Sequence, residues 1–459
     1  MQIAIEEHSY ESTCFQNMGA CPLQSSFWFI PALMASGAML LATVTVSLDT
    51  LLTDWLALNL GLIFTGGAEG ASSLLGTIAG SMITIAGVVF SMTLVALSLA
   101  SSQLGPRLLR SFMRDSTTQM VLGTFVATFL YCLLVLRTVR RADETIFAPH
   151  LSVSLGVLFA VVSVGVLIFF IHHVSVSIQA NEIVARVGRD LVAGMQRLFP
   201  ENIGQGAPLR PTEPADAEFI QRFEREARPV ESAGDGYLQF IDGDALMNLA
   251  MQEDVVIRLQ RRPGHYVVAL SPLALVWPED KVNDSLAERI NAAFALGNQR
   301  TTGQDIEFAV NQLVEIAVRA LSPGVNDPFT AIACVDHLGS ALSRLAQREM
   351  PSAYRYDSEE QLRIISPVFS FSNVSDAAFN QIRQYGRNSA ALTIRLLETL
   401  AVIAQSVNRP EDRAALLRHA RMISRGADES LSEAEDRREV AERFKSVNHA
   451  LNEANYSRT

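Results

Sequence analysis

Four stretches of the chain, Phe27–Leu48, Ala71–Gln103, Thr117–Leu136 and Leu151–Ile171, contain no Asp, Glu, Lys or Arg. Each is long enough to cross a bilayer as a helix, which takes about 20 apolar residues for ~30 Å of hydrocarbon. No comparable run follows. The best later one, Ala390–Val407, carries Arg395 and Glu398 and predicts a buried helix of a soluble domain. The pattern therefore predicts four transmembrane helices within residues 25–172, followed by a long soluble region.

The second run differs from the others. No charge interrupts it from Ala71 to Pro106, a helix of ~54 Å at 1.5 Å per residue. Along it, Thr77, Ser81, Thr84, Ser91, Ser98 and Ser102 alternate in steps of four and three when Val88 and Val95 are included. That spacing draws one face of a helix. Gly76 and Gly80 form a GxxxG, and Gly87 lies one heptad further on. Small residues let helix backbones approach closely in lipid, and hydroxyls can bond across the contact. The seam reads either as a packed helix–helix contact or as the lining of a polar conduit. Gly105-Pro106 should end the helix beyond the membrane surface, just before Arg107, Arg110 and Arg114.

Downstream, Ile183, Val187, Leu191, Met195 and Leu198 recur at helical spacing opposite charged residues, an amphipathic helix continuing from the fourth span. Residues 173–236 then read as this connecting helix and a Pro-rich linker. Residues 237–278 form a small β-rich module, in which "GYLQFID", "DVVIRLQ" and "HYVVALSPLALVWP" are separated by turn signals. Residues 279–459 are mostly helical. The expected fold class is thus a four-helix membrane domain plus a cytoplasmic α+β domain with a β-rich module and a C-terminal helical bundle.

Charge refines this picture. Net charge is −11; residues 1–200 hold 9 basic and 11 acidic residues, so −9 falls on residues 201–459. An acidic soluble region without a basic stripe excludes nucleic acid as a partner. Arg107, Arg110 and Arg114, with Arg186, Arg189 and Arg197 after the fourth span, place both termini and the soluble region in the cytoplasm by the positive-inside rule. Arg137, Arg140 and Arg141 oppose that assignment, beside Asp143 and Glu144. Residues 1–24 lack the basic start of a signal peptide and read as a variable tail. Cys14, Cys21, Cys132 and Cys334 are scattered, without CxxC or zinc-like spacing, so neither a metal nor another cofactor is expected.

The soluble region carries one pointed motif. After the helix Gln304–Leu321 comes "SPGVNDPFTA", in which Pro323-Gly324 turns the chain, Asp327 can cap the next helix and Pro328 takes its first position. Arg319, Ser322, Asn326 and Asp327 either build this corner or gather into a ligand pocket. The string "QDIEFAVNQLVEIAVRALSPGVNDPFTA", with "SSFWFIPALM" and "GYLQFID" before it, resembles a bacterial family of predicted multi-pass membrane proteins of unknown function. The resemblance runs from about Ser25 through the helical C-terminal region. It implies a bacterial inner-membrane protein and supplies no reaction.

Function is expected to follow from assembly rather than catalysis. No nucleophile elbow, phosphate loop or HExxH is present. The first expectation is a homo-oligomeric channel whose second helix lines the conduit, with the three arginines at its cytoplasmic mouth. The second is a non-conducting sensor or scaffold whose cytoplasmic domain binds a small molecule or a protein. Membrane lipid is the surrounding partner in both. No Asp, Glu, Lys or Arg is expected inside the spans, which disfavours a proton relay.

Overall fold

The computed structural model describes residues 28–56, 67–105, 116–140, 147–177, 179–198 and 217–453. The chain divides into two compact units between Gln179 and Ala180. The first contains four helices long and apolar enough to cross a membrane: α1 (Phe29–Leu56), α2 (Ala68–Leu104), α3 (Ser116–Thr138) and α4 (His150–Ser177). Helix α3 is the hub and packs against the other three. Phe125, Tyr131, Cys132 and Val135 of α3 are fully buried, together with Leu75, Val153 and Phe170 from its neighbours. At Gly123 helix α1 comes so close that an added Cβ would stand 2.6 Å from the Met34 sulfur and 3.3 Å from the Pro31 Cα.

The helix ends carry the main departures from the sequence pattern. Helix α1 runs on to Leu56 rather than stopping at Leu48, and its apolar span reaches Leu51, so Asp49 lies inside it. The expectation of charge-free spans is therefore corrected. A carboxylate is tolerated there because donors surround it. Asp49 accepts the Leu151 and Ser152 backbone N–H groups, each at 2.9 Å, and the Ser152 hydroxyl at 2.6 Å. Those amides belong to the first turn of α4, where four N–H groups lack intrahelical partners and the dipole favours negative charge. Tyr131 continues the polar interior, its hydroxyl lying 3.1 Å from both the Thr45 hydroxyl and the Ser152 carbonyl. Helix α2 ends as its sequence requires: Gly105 takes φ +115, the left-handed region that favours glycine.

The second unit opens with the amphipathic helix α5 (Ala180–Leu198), which packs on α9 (Ile306–Ala320) and α10 (Pro328–Ala346). The contact is close at Gly188, where a Cβ would fall 2.5 Å from Nδ1 of His337. A short helix α6 (Ala217–Glu226) leads into the strands β1 (Arg228–Glu231) and β2 (Gly236–Ile241). Helix α7 (Gly243–Glu253), capped by Asp242, then precedes β3 (Val256–Leu259), β4 (Tyr266–Val267) and β5 (Pro272–Trp277). Next come α8 (Asp284–Ala292) and β6 (Phe294–Gly297), and later β7 (Tyr354–Tyr356) and β8 (Leu362–Ile365).

Two sheets result, one in the order β1-β5-β3-β8-β7 and one in the order β4-β2-β6. The strand pair β3–β8 is parallel and the other pairs are antiparallel. The sheets thus draw in strands from both sides of residues 237–278. Four further helices complete the unit: α11 (Phe371–Gly386), α12 (Ala390–Ala404), α13 (Pro410–Ser430) and α14 (Ala434–Glu453). Helix α12 is the buried helix expected there, and its Arg395 forks onto Asp336 at 2.6 and 3.0 Å.

Candidate functional site

The hydroxyl seam and the packing face of α2 lie on different sides of the helix. Ala71, Leu75, Ile78, Met82, Ala86 and Val89 are buried within the unit. Thr77, Ser81, Thr84, Ser91 and Ser98 are all exposed, as are Gly80 and Gly87. A Cβ added at Gly76, Gly80 or Gly87 would meet nothing within 4 Å. The hydroxyls turn back onto their own helix: Thr77 to the Ser73 carbonyl, Ser81 to Thr77 and Thr84 to Gly80, each at 2.8 Å. Such back-bonding satisfies the donor and leaves oxygen lone pairs facing outward. Helix packing inside the subunit therefore does not explain the seam. The Ser102 side chain and Arg107, Arg110 and Arg114 lie outside the described residues.

The motif corner is tied together locally. Asp327 caps α10 by accepting the Phe329 and Thr330 N–H groups, both at 3.1 Å, and the Thr330 hydroxyl at 2.5 Å. The Thr330 hydroxyl is the main cause of its lowered carboxyl pKa. Ser322 donates to the Arg319 carbonyl at 2.6 Å, and Arg319 pairs with Glu315 at 3.6 Å. Asn326 takes φ +50 and donates its N–H to the Ser322 carbonyl at 2.9 Å. These contacts make a helix–turn–helix corner. The same corner projects two apolar side chains: Phe329 is 79% exposed and Val325 49%. Their exposure escapes periodicity, because Phe329 reads as an ordinary apolar position in the first turn of a helix.

A cleft of about 1070 Å³ opens elsewhere in the second unit, with Met247, Met251, Arg262, Arg355, Tyr356 and Phe369 among its lining. Arg262 is held there by an ion pair with Glu307, a 3.1 Å contact to His265 and the Phe369 ring, whose centroid lies 4.6 Å away. Burial, with the Arg262 charge second, pushes the His265 imidazole below its ordinary pKa. None of Arg319, Ser322, Asn326 and Asp327 lines this cleft. Among the described residues, no group of three or more His, Cys, Asp or Glu is placed to hold a metal ion.

Comparison with known proteins agrees with the presence of apolar helices long enough to cross a membrane. The family described as "Predicted membrane protein (DUF2254)" matches residues 24–402. The chain belongs to that family. Its relatives include an uncharacterised protein of Mycobacterium bovis and one of Mycobacterium tuberculosis. Each is 33% identical over 427 residues, covering 90% of this chain and 78% of the relative. No solved structure matches. Within DUF2254 the matched segment takes in the four helices, the seam and the motif corner, and it stops inside α12.

Proposed function

We propose that this DUF2254 protein is a homo-oligomeric channel or conduit of the bacterial inner membrane, in which α2 helices from several copies surround the axis and turn the Thr77–Ser98 seam toward it. The observation that carries this reading is the outward direction of the seam. A charge-free helix in lipid gains nothing from a stripe of hydroxyls and glycines directed at acyl chains. A second copy of the chain gives that stripe close backbone approach, and water along the axis between copies gives donors to its outward lone pairs. The occupant favoured here is a further copy because the stripe keeps one face over the whole span and the GxxxG has open space before it.

Both termini and the 180–459 unit lie in the cytoplasm in this reading, and that unit regulates the conduit. Support comes from the arginines after α2 and in α5. The direct test is cysteine cross-linking of Ser91→Cys in membranes, with Val161→Cys on exposed α4 as control, together with solute flux in liposomes. Seam-specific cross-links and a flux that Ser91→Leu reduces are expected. Equal cross-linking at Val161→Cys overturns the assembly.

Exposed Phe329 favours a second reading, a non-conducting sensor or scaffold whose cytoplasmic unit binds a ligand or protein. Seam cross-links without any flux would select it. Replacing Phe329 by Ser would then abolish partner binding and leave the fold intact.

A further inference from the structure

Arginines in the second unit meet carboxylates at many points: Arg300 with Asp305 at 2.7 Å, Arg363 with Asp357 at 2.7 Å and Arg395 with Asp336 at 2.6 Å. That is the expected arrangement for a region in which acids outnumber bases. Three arginines that gather at one cavity depart from it. Arg383 in the last turn of α11, Arg387 just beyond that helix and Arg425 on α13 converge on a cavity of about 150 Å³. None of the three has a hydrogen-bond or ion-pair partner among the described residues, and the Nε of Arg383 is buried without an acceptor. Burial, and after it the charge of Arg425, lowers the Arg383 pKa.

The negative end of the α11 dipole accounts for Arg383 and Arg387 at its C-terminus. It does not account for Arg425, which arrives from another helix and repels Arg383. Glu429 is the one acid among the lining residues, so three guanidiniums face one carboxylate. The cavity keeps open space beside Gly426, where an added Cβ would touch nothing within 4 Å. Thr393, in the first turn of α12, closes another side.

We infer that this cluster is an anion site for a phosphate group, with Arg383, Arg387 and Arg425 as its ligands. A dianionic phosphate matches the excess of two positive charges. It supplies the acceptor that Arg383 lacks, and guanidinium forks suit its oxygens. The phosphate is either a free one in the cytoplasm or a lipid headgroup. The site is independent of whether α2 lines a conduit.

The test uses the full chain in phosphatidylcholine nanodiscs, titrated with inorganic phosphate against sodium chloride of matched ionic strength, reading heat and the thermal midpoint. Saturable phosphate binding that raises the midpoint is expected, with no such response to chloride. Arg425→Gln should weaken it about tenfold or more, the loss of one charge-assisted contact. That variant should keep its midpoint in chloride, because Arg425 is exposed and repels Arg383. Gly426→Leu, which fills the cavity and retains every charge, should weaken binding as well. A second set of discs contains phosphatidic acid. A midpoint raised by that lipid and not by free phosphate, and lost in Arg425→Gln, assigns the site to a headgroup. The inference is overturned if neither phosphate source acts differently from chloride, or if Arg425→Gln responds as the unmodified chain does.

Discussion

The first unit holds two sets of polar side chains that its environment treats in opposite ways. Thr45, Asp49, Tyr131 and Ser152 point inward and bond across three helices. Thr77, Ser81 and Thr84 point outward and bond only to their own helix. The inward set fixes where α1, α3 and α4 stand, so its loss should be read as instability. The outward set contributes little to the subunit's own stability, so its presence asks for a partner or for water. The same division runs through the second unit, where inward His419 contrasts with the open arginine cluster.

The largest expected effect probes an inward group by pH. His419 is fully buried, with Nε2 2.9 Å from Asp376 and the Phe379 ring centroid 5.7 Å away. Burial outweighs the attraction of Asp376 and pulls the imidazole down to about 4. Its folded value is below the ordinary ~6.5 of an unfolded histidine, so the neutral ring's contribution is complete above that pH. It is lost as pH falls from about 6.5 toward 4, by about 3 kcal/mol in all. Thermal midpoints of the unmodified chain and of His419→Leu, measured between pH 7 and 4, should diverge in slope over that window. Parallel curves would remove His419 from the inward set.

Asp49→Ala breaks the corresponding group in the first unit. The Leu151 and Ser152 amides lose their acceptor in an apolar setting, at a cost of about 2 kcal/mol. Faster proteolysis in the first unit and a lower thermal midpoint are expected, with Asp49→Asn intermediate because its amide has one acceptor oxygen. A midpoint unchanged by Asp49→Ala would mean that α4 is held by its apolar contacts alone.

Asp327→Ala is the intermediate case, a cap at an exposed corner. Its loss should cost about 1 kcal/mol, as other helix caps do. Stability falls while the exposed Phe329 beside it stays exposed. A drop in partner or ligand binding larger than the drop in stability would instead make the corner a recognition site.

What could be read in the sequence follows how local each cause is. The four spans are legible because lipid requires a long uncharged run in each segment by itself. The Asp327-Pro328 corner is legible because cap and first helical residue are neighbours in sequence. Asp49 is not legible as part of the first span, because its three donors lie about a hundred residues away on α4 and no local pattern announces them. Strands β7 and β8 are short, and β8 joins β3 in parallel across a wide gap in sequence, so the helical stretch after Pro278 hides them. The seam sits between these cases. Its periodicity gives a face of α2, and only the packing of Leu75, Met82 and Val89 on the other side reveals that the subunit leaves it uncovered.

The smallest expected effect therefore carries the most information. Ser81→Ala and Thr84→Val remove hydroxyls that bond only to the carbonyl one turn back, at exposed positions with no cross-helix contact in the subunit. Exposed substitutions of this kind usually shift stability by no more than about 0.5 kcal/mol. Ser81→Ala should leave the fold of a single subunit untouched. If the seam joins copies, however, Gly80→Leu must separate them, because a bulky side chain then stands where two backbones approach. Size-exclusion with light scattering in one detergent would show a smaller particle for Gly80→Leu and an unchanged one for Ser81→Ala. An unchanged particle for both would assign the exposed face of α2 to lipid, and the contrast between inward and outward polar groups would then rest on the second unit alone.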